Sequence, residues 1–424
     1  MLIFFLVSGS YKSDPRFSWL PIDSTLLFFA LGVAMGLAII YREGIYLPGL
    51  TVVSLFLVFI AWVLLTGLWT PSELYAREKL LKLATLGLWT LIATAMIIAN
   101  RPERVRRFLI LVLVLGTAAA LDGIAQHSGV VQYAPPADAF SVNEAFSSSL
   151  RFDAYLGRGR FFGLGALVAF AAWLYTNPFS GRGISLMAAF ATCCYGLLIT
   201  GGRGPTLAVA AAMLLPLALG LRITERRLFA SRALVASIAL FVASAAVLLQ
   251  VVVNYSGSLR TVQRFNVLLT EEGGGGSAAA RWEHWTGSWH LWLEQPLFGS
   301  GVGSWPMRYL GFDVARDPHN LIIEVLVEFG LIGLLLLVTA GVAATRRATV
   351  RRLREDPPLM CAAMLCISTF LAAMTSSDIT ENRNLFAMFG LLSMRPYSRT
   401  SHVDTEGRAR ALRLVHRDGG LRAR

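Results

Sequence analysis

Residues 50–69 read LTVVSLFLVFIAWVLLTGLW, twenty residues without a charge. A helix rises about 1.5 Å per residue, so such a run crosses the roughly 30 Å hydrocarbon core of a bilayer. The pattern recurs along the chain. By length and hydropathy the predicted spans are 21–41, 50–69, 80–99, 108–126, 161–176, 184–200, 205–222, 233–253, 320–344, 358–375 and 384–395. The opening run, Met1 to Val7, is too short to cross and lacks the basic flank and cleavage site of a signal peptide. It reads as an interfacial stub or as the remainder of a first span. Composition points the same way: 55% of the 424 residues are hydrophobic and only 15% charged, where a soluble domain carries about 25% charge. The expected fold is an all-α, polytopic integral membrane protein. A soluble enzyme, a disordered chain and a disulfide scaffold are excluded. So is an outer-membrane barrel, whose strands alternate in hydropathy. The four cysteines lie inside apolar runs and read as small packing residues.

The net charge of +12 would raise nucleic acid as a partner in a soluble protein. Here its distribution gives another reading, because basic residues crowd loops that stay in the cytoplasm. Clusters such as Arg104, Arg106 and Arg107, and Arg346, Arg347, Arg351, Arg352 and Arg354, fall in alternate loops together with the basic tail. Those loops and the C-terminus are therefore expected inside, and segments 127–160 and 254–319 outside. Four regions follow: 1–253, an N-terminal bundle of about eight spans; 254–319, a long outward (periplasmic) loop; 320–395, C-terminal transmembrane helices; and 396–424, a disordered basic cytoplasmic tail.

A connection as long as 254–319 is functional or disordered. After the glycine run at 273–276 it carries RWEHWTGSWHLWLEQPLFG, in which Trp282, Trp285, Trp289 and Trp292 recur at helical spacing. An amphipathic helix on the outer bilayer surface is expected, with the stripe either anchoring the loop or stacking on sugars. His319 stands where the loop re-enters the membrane, with Asp317 or Pro318 expected to start the helix. At that end the helix dipole disfavours imidazolium, and a neutral imidazole can act as a general base; the alternative is a histidine that only ties down the loop. Arg203 sits in TGGRG, a tight turn between two spans. An arginine at membrane depth costs several kcal/mol unless paired or solvated. Its planar fork suits phosphate oxygens, and the alternative is snorkelling to headgroups. Glu324 and Glu328 lie within an apolar run. At about 100° per residue neither shares a helix face with His319, so structural pairing with an arginine is expected. No metal-ligand spacing and no nucleotide-binding loop is present in the sequence.

These residues bring the chain into line with a family. Its C-terminal half resembles the O-antigen ligase and O-antigen polymerase superfamily through TGGRG at 200–204, RWEHWTGSWHLWLEQPLFGSGVGSW at 281–305, and HNLIIEVLVEFGLIGLLL at 319–336. GRGRFFG at 157–163 matches more weakly. The resemblance implies a GT-C-like membrane fold of about 11–12 transmembrane helices, since relatives commonly have twelve spans. It also implies glycosyl transfer on the periplasmic face of the bacterial inner membrane, without metal or cofactor. The donor would be a glycan on undecaprenyl pyrophosphate. The acceptor would be a hydroxyl of a lipid A core, a growing glycan or a protein side chain. Membrane lipids are the remaining partners, and nucleic acid is not expected.

On that basis His319 would take the acceptor proton, while Arg203 and Arg281 would stabilise the leaving pyrophosphate. Arg160, Asn320, Arg264, Trp282 and Trp285 are the substrate-binding candidates. A polymerase of the same superfamily is the near alternative. A flippase of lipid-linked sugars is the alternative from another class, although transporters place charges near the midplane and often show inverted repeats, which this sequence does not.

Overall fold

The computed structural model describes residues 1–11, 22–130, 144–224, 227–230, 235, 261–262, 276–376 and 378–395. Its helices are α1 (Leu2–Ser8), α2 (Ser24–Glu43), α3 (Leu47–Thr66), α4 (Leu74–Ile98), α5 (Pro102–His127), α6 (Glu144–Trp173), α7 (Gly181–Thr200) and α8 (Arg203–Gly220). After the long loop begins, they are α9 (Gly276–Glu294), α10 (Ser304–Tyr309), α11 (Leu321–Thr345), α12 (Val350–Glu355), α13 (Pro357–Ala373) and α14 (Arg383–Leu392). Seven of the described helices, α2 to α5, α7, α8 and α11, are long and apolar enough to cross a membrane. The protein is an all-α polytopic membrane protein. One antiparallel hairpin interrupts the helices, β1 (Leu221–Thr224) with β2 (Arg227–Ala230), pairing Leu221 with Ala230. Met1–Met394 forms one compact unit.

Several expectations change. The predicted span 161–176 is the end of the 30-residue helix α6, so helix runs back through 144–160, which was expected to be loop. The predicted span 384–395 is a ten-residue helix, α14. At about 15 Å it cannot cross a bilayer core alone. The opening run forms α1, which packs on α2 with Phe5 fully enclosed and 5.8 Å from Phe29. The predicted span 233–253, Val235 apart, and the tail 396–424 lie outside the described residues.

Helix boundaries follow local chemistry. Asp23 accepts from the Thr25 amide at 2.8 Å and Ser180 from the Gly183 amide at 3.1 Å, each satisfying an orphan N–H of a first turn. Proline stands in the first turn of α3, α5 and α13, where its missing N–H costs nothing. Side chains that would be buried in a soluble protein face outward here: Leu31, Met35 and Leu37 on α2, Leu57, Val58 and Leu64 on α3, and Leu335, Val338 and Val342 on α11. A belt this apolar marks a lipid-facing surface. Inside it, Phe56 packs on Phe386 at 4.8 Å and Phe59 on Phe329 at 5.9 Å, joining α3, α11 and α14. On the other side, α5 and α6 cross where Gly116 meets Gly165. A Cβ on Gly116 would lie 2.9 Å from the Gly165 Cα, the small-residue contact that lets membrane helices approach closely.

Helix α11 breaks at Gly330 (φ 68°, ψ −171°), a conformation open essentially to glycine alone. A broken helix at membrane depth needs partners for its freed backbone groups. The end of the long loop supplies them. The Ser300 and Gly301 amides donate to the Val327 and Glu328 carbonyls at 2.8 and 2.9 Å. The Leu331 and Ile332 amides donate to the Pro296 and Leu297 carbonyls at 2.8 and 3.2 Å. The indole N–H of Trp62 donates to the Phe329 carbonyl at 2.9 Å. The QPLFGSG run and the EFG run are thus two halves of one backbone junction.

Gly330→Ala is expected to lower stability by about 3 kcal/mol or more, since backbone strain and packing overlap add: the new Cβ would sit 2.2 Å from the Leu297 carbonyl oxygen. Thermal unfolding in detergent checks this against Gly341→Ala, whose Cβ meets only the Phe389 ring at 3.5 Å and which is expected to leave the midpoint nearly unchanged.

Candidate functional site

The turn 314–320 ends the long loop and presents His319. Among the described residues His319 is the one non-glycine residue with positive φ, at 58°, a conformation that costs about 1–3 kcal/mol. Three contacts hold it. The Asp317 Oδ1 atom accepts from the His319 backbone amide at 2.7 Å and lies 3.1 Å from Nδ1 of the ring. One oxygen serves both groups, so the ring contact is a close polar approach off the line of a straight hydrogen bond. The indole N–H of Trp285 donates to the Pro318 carbonyl at 3.0 Å. Asn320 caps α11, its side-chain oxygen accepting from the Ile322 and Ile323 amides at 3.0 and 3.1 Å. The helix therefore starts at Leu321, three to four residues later than expected, because Asn320 and not Asp317 or Pro318 satisfies its first amides. Burial pushes the Asp317 carboxyl up, but the His319 contacts and the Lys79 charge outweigh it and hold it below its ordinary range.

Behind this turn lies a buried charge cluster. Lys79 of α4 is 1% exposed and pairs with Glu324 at 2.5 Å and Glu328 at 2.8 Å, with Asp378 at 3.9 Å. Glu328 also accepts from the Gly303 amide at 2.9 Å, Glu324 from the Ile379 amide at 3.2 Å, and Asp378 from the Tyr75 hydroxyl at 2.6 Å. The two glutamates are structural pairs, as expected, but their partner is a lysine and not an arginine. The reason is that α4 begins at Leu74, six residues before the predicted span, so Lys79 lies on the helix and is buried, although it stands at the end of a loop in the sequence reading. A second long-range contact fixes the start of α4. Asp313 accepts from the Ser72 hydroxyl at 2.8 Å and from the Glu73, Leu74 and Tyr75 amides at 2.9, 2.8 and 3.3 Å. Burial raises the Asp313 carboxyl, and these hydrogen bonds more than reverse that, leaving it below its usual range.

Helix α9 lies against α11, and its tryptophans do not act as one stripe. Trp285 turns inward to the Pro318 carbonyl, while Trp282 is 68% exposed and Trp289 49%. Arg281 stands half-buried one turn before His284 and Trp285. Arg160 of α6 donates from Nη2 to the Ser376 carbonyl at 2.8 Å and the Ser376 hydroxyl at 2.7 Å, closing the end of α13. It lines a small pocket with Ser368, Thr369, Glu381, Asn382 and Asn384. Arg203 opens α8 two residues after Gly201, whose left-handed backbone (φ 86°) ends α7 and whose amide donates to the Thr261 hydroxyl at 3.0 Å. A Cβ on the next residue, Gly204, would lie 2.5 Å from the Thr375 hydroxyl. Arg160 and the Arg203 turn thus meet the same 372–376 turn, and Ile379 and Asp378 join that turn to the lysine cluster. Arg264 lies outside the described residues. Among the described residues no group of three or more His, Cys, Asp or Glu side chains could hold a metal ion.

The segment that carries His319, Arg203 and Arg281 can be placed among known proteins. Residues 188–338 match the O-antigen ligase family. The match covers about a third of the chain and supports membership of the O-antigen ligase and polymerase superfamily, as the motifs implied. No curated protein matches the chain. Within the O-antigen ligase segment fall Arg203, Arg264, Arg281, Trp282, Trp285, His319, Asn320 and both buried glutamates. Arg160, Lys79 and Asp378 come from outside it. The match supports a function of O-antigen ligase or polymerase type in general terms.

Sequence reading missed Lys79, Asp378 and Asp313. The available signal for Lys79 was a charge next to a span in a chain with only three lysines; a charge at membrane depth demands a partner.

Lys79→Met is expected to cost about 3–5 kcal/mol, because it strands buried carboxylates, and thermal unfolding in detergent reads the loss. Asp313→Ala should cost about 1 kcal/mol at neutral pH through the lost cap. The sign with pH is fixed by the lowered carboxyl. Its stabilisation is complete above the unfolded aspartate value of about 3.9 and is lost as pH falls through the folded value. The gap between wild type and Asp313→Ala should therefore narrow in melts near pH 3.

Proposed function

We propose that the protein transfers a glycan from a polyprenyl-pyrophosphate carrier, of the undecaprenyl type, to an acceptor hydroxyl at the periplasmic face of the inner membrane. The observation that carries this reading is His319: a strained, half-exposed imidazole seated on a partly buried carboxylate, in the segment that matches the O-antigen ligase family. Strain maintained by several contacts is a mark of functional positions.

The carboxylate next to Nδ1 favours the tautomer with its proton there, which leaves the Nε2 lone pair for a substrate proton. In the proposed step the acceptor oxygen attacks the anomeric carbon, its proton passes to His319 Nε2, and the bond from that carbon to the pyrophosphate oxygen breaks. One displacement of this kind inverts the sugar. Arg203 and Arg281 stabilise the charge growing on pyrophosphate through charge-assisted hydrogen bonds. Trp285 positions the histidine turn from behind. Trp282, exposed on the outer side of α9, is the stacking platform for a sugar ring. Arg160 is spent mainly on the 372–376 turn and contributes by shaping the cavity beside it.

Acceptor identity separates the two superfamily activities. A lipid A core acceptor makes the protein a ligase, and a lipid-linked glycan makes it a polymerase. In liposomes supplied with a lipid-pyrophosphate glycan and both acceptors, wild type should form product without ATP. His319→Asn, which tolerates positive φ, should fold normally and lose about 10²–10⁴-fold in rate. Full activity of this variant refutes the base, and donor movement between leaflets without transfer refutes the reaction.

A further inference from the structure

The His319 ring has an imidazole neighbour. His284 of α9 lies with its ring centroid 6.2 Å from that of His319, the planes inclined by 31°. The His284 ring is held on two sides, edge-to-face with Trp305 at 5.5 Å and with Tyr309 at 5.4 Å. Those rings are themselves fixed. Trp305 is 1% exposed and its indole donates to the Ser288 hydroxyl at 2.7 Å, while Ser288 donates back to the His284 carbonyl at 2.5 Å. Tyr309 fills the space over Gly287, where a Cβ would meet its ring at 2.3 Å. The histidine is thus preorganised beside the proposed base, and no hydrogen bond to its own ring explains why.

Nδ1 of His284 is buried without a hydrogen-bond partner. Burying an unpaired N–H is rarer than leaving an acceptor unsatisfied, so the proton belongs on Nε2. Burial holds the His284 imidazole below its ordinary pKa, against opposing pulls from Glu283 and Asp317. The two rings are then complementary. His319, with Asp317 beside Nδ1, offers a lone pair at Nε2, and His284 offers an N–H at Nε2. A hydroxyl group uses both at once, since it donates one proton and accepts another. With the ring centroids 6.2 Å apart, one hydroxyl group is small enough to reach both imidazoles.

We propose that His284 binds the acceptor: its Nε2–H donates to the oxygen of the same sugar or side-chain hydroxyl whose proton His319 removes. The proton leaves the hydroxyl for His319 Nε2, while His284 keeps its own proton and stabilises the oxygen as negative charge builds on it. This proposal rests on the transfer reading above and adds the residue that orients the nucleophile.

Purified wild type, His284→Phe and His284→Gln in liposomes test it, with lipid-pyrophosphate glycan as donor and lipid A core, a second copy of the lipid-linked glycan, and a serine peptide as candidate acceptors. Phenylalanine keeps the ring packing and removes the donor. Glutamine places an amide N–H near the position of Nε2. With the acceptor that wild type consumes, His284→Phe should raise the acceptor KM about tenfold and leave the donor KM and the unfolding midpoint unchanged, while His284→Gln recovers most of the loss. An unchanged acceptor KM in His284→Phe overturns the proposal. Equal rises in donor and acceptor KM, or a matching drop in the unfolding midpoint, also overturn it and make His284 a packing residue. If wild type consumes none of the acceptors, the transfer reading falls and the role of His284 falls with it.

Discussion

A lysine ammonium enclosed with three carboxylates, in a bundle that faces lipid, is the interaction on which the rest of the structure depends. Lys79, Glu324, Glu328 and Asp378 come from three separate parts of the chain, and each alone would be costly at that depth. Their mutual attraction, completed by the Gly303 and Ile379 amides and the Tyr75 hydroxyl, binds α4, α11 and the turn before α14 into one assembly. The Asp317 carboxylate feels the same lysine, so the charge that closes the bundle also bears on the turn that presents His319.

The long loop is part of this assembly. Its last segment completes the broken helix α11 at Gly330, and Gly303 at its end donates to Glu328. Asp313 then reaches back to cap α4. A break at membrane depth, a buried ion cluster and a loop with four backbone attachments to the break need one another. The loop gives the break its hydrogen bonds, the break positions Glu328, and Glu328 holds the lysine. This explains physically why the glycine-rich run at 299–303 and the EFG run at 328–330 occur in one chain, whatever the identity of the substrate.

What the sequence revealed depended on the range of the interaction. Spans such as 50–69 and 320–344 were legible because twenty apolar residues have one economical solution in a bilayer. His319, Arg203 and Arg281 were legible because polar residues at the edges of spans are rare and stand in recognisable motifs. Lys79 was not, because its partner Glu328 is 249 residues away, and periodicity says nothing about which helix a charge will meet. The extension of α6 was hidden by polar residues between 144 and 160 that serve as well in a loop as in a helix. The tryptophans of α9 read as one stripe, but the position of the Pro318 carbonyl decides that Trp285 turns inward while Trp282 stays outside. Asn320 was read as a substrate-binding residue, and the local demand of an uncapped helix takes its side-chain oxygen.

The central claim is that His319 accepts the proton of the acceptor hydroxyl from a backbone conformation built to present it. His319→Gly tests it most directly, since glycine adopts φ near 58° without strain and leaves a space where the imidazole stood. Transfer would be followed in liposomes at increasing concentrations of free imidazole. Saturable recovery of transfer, absent when imidazole is added to wild type, is the predicted result. A folded His319→Gly protein that transfers glycan at the wild-type rate without imidazole, or that stays inactive at every imidazole concentration while binding donor and acceptor normally, would contradict it.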